Sequence, residues 1–475
     1  MMQLVTSLRP TIPFVRLPRS ALPATLLAAL LGGCSSYHPD PLPTTPQLAA
    51  SVQGLQVERR QIDLPVLARY DFDPTKPLDA TGLAIFAVLG NPQLKAERAK
   101  LGVARAQAFD ARLLPDPQLS LSRDFPGNSV GASTSAYNLG LSYDIAALIT
   151  HHAATRAAQQ AATQVDLQVL WAEWQTVAQA RLLYIQISGN SARLALLEQE
   201  RRLFEQRLQR SQTALAQGHV TRLDVDAQLV PLQALTQTIQ GIERQQLALQ
   251  SQLHALLGLQ ADVPLPLAPI TPQPVPDAAQ VDAALKHLPS IRPDLMALQA
   301  GYAAQEQKVW QAVLGQFPAF NLGFTRARDT AGVNTVGVGV SISLPLFNRN
   351  QGVIATQRAT RAQLRAEYQA RLDQADADVH QAQADLALLQ RQRQTLLAAL
   401  PALESAEAAA HQALQQGSLT LLEFINQRTA LLDQRLALQA NAQQIDEQTL
   451  ALQLLTGLGP YRHAARPPFL SEPKP

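Results

Sequence analysis

Four short stretches of the chain alternate between apolar and small polar residues. In the second, Tyr137, Leu139, Leu141, Tyr143 and Ile145 alternate with Asn138, Gly140, Ser142 and Asp144. In the fourth, Val336, Val338, Val340, Ile342 and Leu344 alternate with Gly337, Gly339, Ser341 and Ser343. The third sets Phe320, Leu322 and Phe324 against Asn321, Gly323 and Thr325, and the first sets Leu119, Leu121 and Phe125 against Ser120 and Ser122. A period of two puts one set of side chains on one face of a strand. The stretches pair as two hairpins, 117–146 and 318–346, with turn-rich loops at Phe125-Pro126-Gly127-Asn128-Ser129 and Arg328-Asp329-Thr330-Ala331-Gly332.

Around the hairpins the pattern turns helical. Helix-like segments near 79–114 and 277–316 precede them. Very long ones, about 148–216 and 352–416 and rich in Ala, Gln and Leu, follow. At ~1.5 Å per residue such a helix reaches ~100 Å, which implies a coiled coil or helical tube. Gly218 and Gly417 punctuate the chain before a further helix in each half, and Pro231 and Pro401 are expected to kink the helices they occupy. The order is duplicated. Pro92 and Pro293, Pro117 and Pro318, and Tyr143 and Leu344 all stand 201 residues apart, and Gly218 and Gly417 stand 199 apart. The expected organisation is a leader 1–33, an N-terminal segment 34–78, a first repeat 79–258, a proline-rich equatorial linker 259–276, a second repeat 277–458 and a tail 459–475.

The apolar strand face has two readings. It packs on a soluble core, or it touches lipid. Gly, Ser, Asn and Thr on the other face suit a water-filled lumen, and the strands approach the ~9–11 residues that a transmembrane strand needs. Known membrane barrels start at about eight strands, and an open edge in lipid leaves backbone groups unsatisfied. The four strands must therefore be pooled between chains, giving eight from two copies or twelve from three. The physics requires an oligomer without choosing its order.

The N-terminus adds an address. Arg9, Arg16 and Arg19 precede an apolar run from Ala21 to Leu31, too short to span a bilayer but suited to a secretory leader. It ends Leu31-Gly32-Gly33-Cys34, which resembles a bacterial lipobox with Cys34 as the acylated residue. Several acyl chains would make that anchor stable. Ser35 and Ser36 follow, and Ser35 stands where an aspartate, in the lipoproteins this leader resembles, retains a protein at the inner membrane, which favours export to the outer membrane. As the single cysteine, Cys34 excludes a disulfide framework and a multi-cysteine zinc site.

Composition removes other classes. With a net charge of +2, the chain has no strong field for nucleic acid, and no nucleophile elbow, phosphate-cradling glycine loop or metal-ligand cluster stands out. His151 and His152 are adjacent but point to different helix faces, and His219 suits a solvated turn. Neither enzyme activity, cofactor nor resident metal is expected. Trp171 and Trp174 suit packing between helices or at the barrel end, and Tyr137 and Tyr143 suit an interfacial aromatic girdle.

The order helix, hairpin, long helix, glycine turn, helix, repeated twice over about 79–457, resembles the TolC-like outer membrane efflux proteins. Asn91-Pro92-Gln93-Leu94 through Leu114-Pro115-Asp116-Pro117 is similar to the family's stretch before its first strand. The segments starting at Gly218 and Gly417 are similar to its periplasmic helix tips. The resemblance implies an α+β membrane protein, a long-helix α-barrel plus four β-strands per chain contributing to a trimeric twelve-stranded transmembrane β-barrel. It implies a homotrimer lodged in outer membrane lipid that works as an exit duct with a periplasmic adaptor (membrane fusion protein) and an inner membrane pump. Gly218, Thr221, Leu223, Gly417, Thr420 and Leu422 would be the tip residues contacting the adaptor. Glu423 and Asn426, with Asp224 in the first half, match the positions of the family's periplasmic aperture. Thr221-x-x-Asp224 and Thr420-x-x-Glu423 are also helix-capping patterns, and the two roles are compatible. The alternatives are a lipid-anchored periplasmic coiled-coil scaffold without a pore, or the outer membrane channel of a protein secretion system.

Overall fold

The computed structural model describes residues 37–52, 76–127 and 134–461. The leader, Cys34 with its lipobox, and most of the tail from 459 to 475 lie outside the described residues. The chain divides after Gln47 into two units. Residues 37–47 of the first are exposed and carry no helix or strand. The second holds every element below.

The segment read as one helix over 79–114 is two helices, α1 (Ala80–Gly90) and α2 (Pro92–Asp110). The counterpart over 277–316 is three, α5 (Ala278–Leu285), α6 (Leu288–Ile291) and α7 (Pro293–Leu314). The breaks before α2 and α7 come from proline. Its ring disfavours helical geometry at the preceding residue, and both Asn91 and Arg292 sit at ψ 120°. Asn91 makes its break useful. Its side-chain oxygen accepts from the Leu94 amide at 2.8 Å, and its amide donates to the Leu256 carbonyl at 3.0 Å, joining α2 to the end of the returning helix.

Each repeat then runs through a hairpin into a long helix. The hairpins are β1 (Gln118–Asp124) with β2 (Ala136–Asp144), and β3 (Ala319–Arg328) with β4 (Asn334–Ser343). The long helices are α3 (Ile145–Ala216, 72 residues) and α8 (Gln351–Gln415, 65 residues). At ~1.5 Å per residue both are on the order of 100 Å long. Asp144 lets α3 start without a loop, its carboxylate accepting from the amides of Ala146 and Ala147 at 2.9 and 3.2 Å. Both long helices end in a glycine with positive φ, Gly218 at 73° and Gly417 at 72°. There the His219 amide reaches back to the Ala214 carbonyl and the Ser418 amide to Ala413, each at 2.9 Å, as in a left-handed helix stop. The returning helices, α4 (Arg222–Leu257) and α9 (Leu421–Thr456), have 36 residues each. Helix is continuous through Pro231 in α4 and Pro401 in α8.

The two hairpins form a single antiparallel sheet in the order β1-β2-β3-β4, so the two repeats meet at the β2–β3 pairing. Away from the sheet, α1 is almost wholly buried against α3 and α4 through Leu83, Phe86, Leu183, Tyr184 and Leu253. The proline-rich 259–276 segment is tied to this region. The Tyr184 hydroxyl lies 3.0 and 3.1 Å from the Ala268 and Pro269 carbonyls, and isolated parallel bridges join Ala49 to Leu259 and Leu78 to Leu267. A separate core of Leu197, Phe204, Ile239, Phe424, Ile425 and Leu432 holds the far ends of the helices together.

Candidate channel wall and helix tips

Register decides what each face of the sheet presents. Directly opposed residues in antiparallel pairing share a face. Leu119 faces Leu141, Leu141 faces Phe324, and Phe324 faces Val338. Neighbouring rows join Tyr143, Leu322 and Val340, then Phe320 and Ile342. The opposite face carries Gln118, Ser142, Gly323 and Gly339 in one row and Ser120, Gly140, Thr325 and Gly337 in the next. The alternation read along each strand therefore becomes one continuous apolar face and one continuous small, polar face.

Among the described residues no helix covers the apolar face. Leu119 is 71% exposed, Val338 74% and Phe324 49%. A soluble hairpin would bury this face on a core, since monomeric soluble proteins rarely expose contiguous apolar patches larger than a few hundred Å². The outer edges of β1 and β4 are also unpaired among the described residues. Tyr137 and Tyr143 lie toward opposite ends of the apolar face. No described helix is long and apolar enough to cross a membrane.

The helix tips carry the other predicted residues. Thr221 and Thr420 cap α4 and α9 in complete capping boxes. The Glu423 carboxylate accepts from the Thr420 amide at 2.9 Å and from its hydroxyl at 2.7 Å, and Asp224 does the same at Thr221 at 2.8 and 2.6 Å. The Thr hydroxyl first, then the Thr backbone N–H, holds each carboxylate below its ordinary range. Glu423 and Asn426 are both exposed and stand one helical turn apart, so capping leaves Glu423 open to solvent. Gly218, Gly417, Thr221 and Thr420 are exposed around them. Leu223 and Leu422 project as exposed apolar side chains, 77% and 55% accessible.

A depressed carboxylate pKa stabilises the folded turn above the ordinary value and loses that effect as pH falls through the folded value. For Glu423 the loss begins below the ordinary 4.5. Hydrogen exchange in the first turn of α9, corrected for the intrinsic rate, is expected to accelerate in that range. Thr420→Ala removes the hydroxyl and should show faster exchange already at neutral pH, the cap being worth about 1 kcal/mol. Equal protection in the two proteins at neutral pH would contradict the cap.

Sequence reasoning missed the ionic cluster behind the tips. Arg428 on α9 forms a two-pronged pair with Glu200 on α3, both bonds 2.8 Å, and bonds Glu407 on α8 at 3.0 Å. Hydrogen bonding to Glu200 raises the Arg428 pKa against the opposing effect of burial. Arg207 lies over the Phe424 ring at 4.1 Å. Arg428 and Glu200 are 228 positions apart, and no local motif marks them as partners. Trp174 is fully buried against Tyr461 and Trp171, with ring centroids 4.9 and 6.2 Å away, in the core around α1 rather than at the sheet. His151 and His152 lie in the second turn of α3, His219 in the exposed turn after Gly218. Among the described residues no group of three or more potential metal ligands comes together.

The chain thus joins an open sheet with one apolar face to two pairs of long helices. Residues 285–458 match the family model described as outer membrane efflux protein. Comparison with curated proteins finds no match. Among solved structures, the chain is similar to CusC, a transmembrane channel protein, at 19% identity and TM-score 0.69, covering 83% of this chain and 96% of that one. It is similar to the outer membrane channel OprN at 17% identity and TM-score 0.68, covering 89% and 99%. It is also similar to the outer membrane protein VceC of Vibrio cholerae at 20% identity and TM-score 0.68, covering 80% and 96%. The chain shares the fold of these proteins over most of its length, and its family match is confined to residues 285–458.

Proposed function

We propose that the protein is the outer membrane exit duct of a tripartite efflux system, conducting substrates passively from an inner membrane pump and periplasmic adaptor to the exterior. The observation that carries this reading is the uncovered apolar sheet face with its two unpaired edges. Closing those edges within a bilayer requires further copies of the same sheet. Three copies give a twelve-stranded barrel, with the row of Gly323 and Gly339 turned to the lumen and that of Phe324 and Val338 to lipid. The long helices would extend the duct into the periplasm, and the exposed Leu223 and Leu422 would meet the adaptor. Cleavage after residue 33 and acylation of Cys34 would anchor each chain in the same membrane. The segments 34–78, 79–258, 259–276, 277–458 and 459–475 would be the anchor arm, first repeat, belt, second repeat and tail.

The detergent-purified full chain tests the reading. It should be trimeric and give discrete conductance steps in a planar bilayer. A soluble monomer without detergent, made without the leader and Cys34, would instead favour a periplasmic scaffold. Three Glu423 carboxylates around a narrow end would enrich cations, as charged rings do in pores. Glu423→Gln should therefore lower the cation-to-anion permeability ratio while leaving assembly intact. An unchanged ratio would remove Glu423 from the aperture and leave it as a cap alone.

A further inference from the structure

All three basic residues of the sheet lie on its apolar face, and all at one end. Arg123 faces Tyr137, and Tyr137 faces Arg328 across the next pairing. Arg326 lies one row further in, between Leu139 and Val336. With strands ~4.8 Å apart and ~3.3 Å rise per residue, the α-carbons of Arg123 and Arg328 are about 10 Å apart and those of Arg326 and Arg328 about 7 Å apart. The opposite end of the face, at Phe320 and Ile342, is free of charge. The arginine end is the loop end. β2 runs directly into α3 at the other end, and α7 stops a few residues before β3 there.

The nearby carboxylates are engaged elsewhere. Asp124 projects from the small, polar face, opposite Ala136. Asp329 closes its own turn by accepting from the amides of Ala331 and Val333, both at 2.9 Å. The Arg123 guanidinium donates to the Ser135 hydroxyl at 3.2 Å and lies 5.1 Å from the centre of the Phe125 ring. Arg328 Nε is enclosed and has no hydrogen-bond partner among the described residues. Arg326 is exposed beside leucine and valine. Arginine on the lipid side of a barrel is destabilising at mid-bilayer and nearly neutral only near the interface. Guanidinium groups match phosphate oxygens in a two-pronged geometry that lysine does not reproduce.

We propose that Arg123, Arg326 and Arg328, with Tyr137 between them, form a binding site for a phosphate group of a lipid in the outer leaflet. The lipid's acyl chains lie along Leu121, Leu139 and Val336. Its phosphate accepts from the terminal guanidinium nitrogens of the three arginines. The site rests on the barrel reading above and adds to it a lipid that fixes how deep the barrel sits.

The test uses the full-chain oligomer in detergent, first checked for conductance steps. It is then titrated with phosphorylated lipid A, with enzymatically dephosphorylated lipid A, and with inorganic phosphate, with bound ligand read by native mass spectrometry. In the triple variant R123Q/R326Q/R328Q, affinity for phosphorylated lipid A should fall about tenfold or more, the equivalent of one lost charge-assisted hydrogen bond. R326Q, which keeps two arginines and so guards against a triple variant that fails to assemble, should lose about threefold, the equivalent of one ordinary hydrogen bond. Dephosphorylated lipid A should bind parent and variants alike. Equal affinity of parent and R326Q for phosphorylated lipid A overturns the site while the duct stands. Saturation by inorganic phosphate alone overturns the lipid assignment. A parent that gives no conductance steps overturns the duct reading, and the site with it.

Discussion

Val338→Lys is expected to prevent the proposed oligomer from assembling, whereas Ser341→Lys leaves it assembled. The two positions lie three residues apart on β4, both exposed in the single chain, and they project from opposite faces. Val338 continues the row of Leu119, Leu141 and Phe324. A lysine on the lipid side near mid-bilayer costs about 2–4 kcal/mol, and a symmetric assembly pays it in every chain. A lysine at Ser341 enters the face of Asn321, Gly323 and Gly339, which the duct reading fills with water. It should shift permeability toward anions without loosening the assembly. Heated and unheated samples compared by native gel, together with reversal potentials under a salt gradient, measure both outcomes. Equal tolerance of lysine at the two positions would mean that neither face meets lipid.

Arg428→Leu is expected to destabilise the helix tips more than any loss of a cap. It strands Glu200, which is 3% exposed, and takes the partner of Glu407 as well. Breaking a buried pair from one side typically costs ~3–5 kcal/mol, and Arg207, whose charge also acts on Glu200 and Glu407, holds the loss toward the lower figure. The thermal midpoint of the oligomer should fall clearly, and hydrogen exchange should rise along the first turns of α9. Glu200→Gln in the Arg428→Leu background removes most of the buried charge and should recover part of the loss. Circular dichroism melts of the two single variants and the double variant form the cycle. Strict additivity would show that the pair is not energetically coupled.

These two predictions draw on different kinds of information. The faces of the sheet were legible in the alternation of Tyr137, Leu139 and Leu141 with Asn138 and Gly140, because side-chain direction in a strand follows position alone. The caps at Thr221 and Thr420 were legible for a similar reason, since a capping box closes within four consecutive residues. The breaks before Pro92 and Pro293 were equally local, yet the surrounding helical pattern hid them when each segment was read as one helix. The Glu200–Arg428–Glu407 cluster had no such signature. Its members sit on three helices, and a charged residue in a long polar helix resembles any solvated position until packing encloses it.

The sequence by itself determined the duplicated order of elements, the placement of the glycine turns, the caps and the two characters of the strands. Each depends on interactions spanning a few residues, or on a period that one strand or helix imposes. Only the tertiary structure decided that the two hairpins join through β2 and β3, that the apolar face is left uncovered, and that the arginines gather at its loop end. Those outcomes depend on register between segments nearly two hundred residues apart. Such register is set by the joint burial and hydrogen bonding of both partners, and neither partner's residue pattern contains it alone.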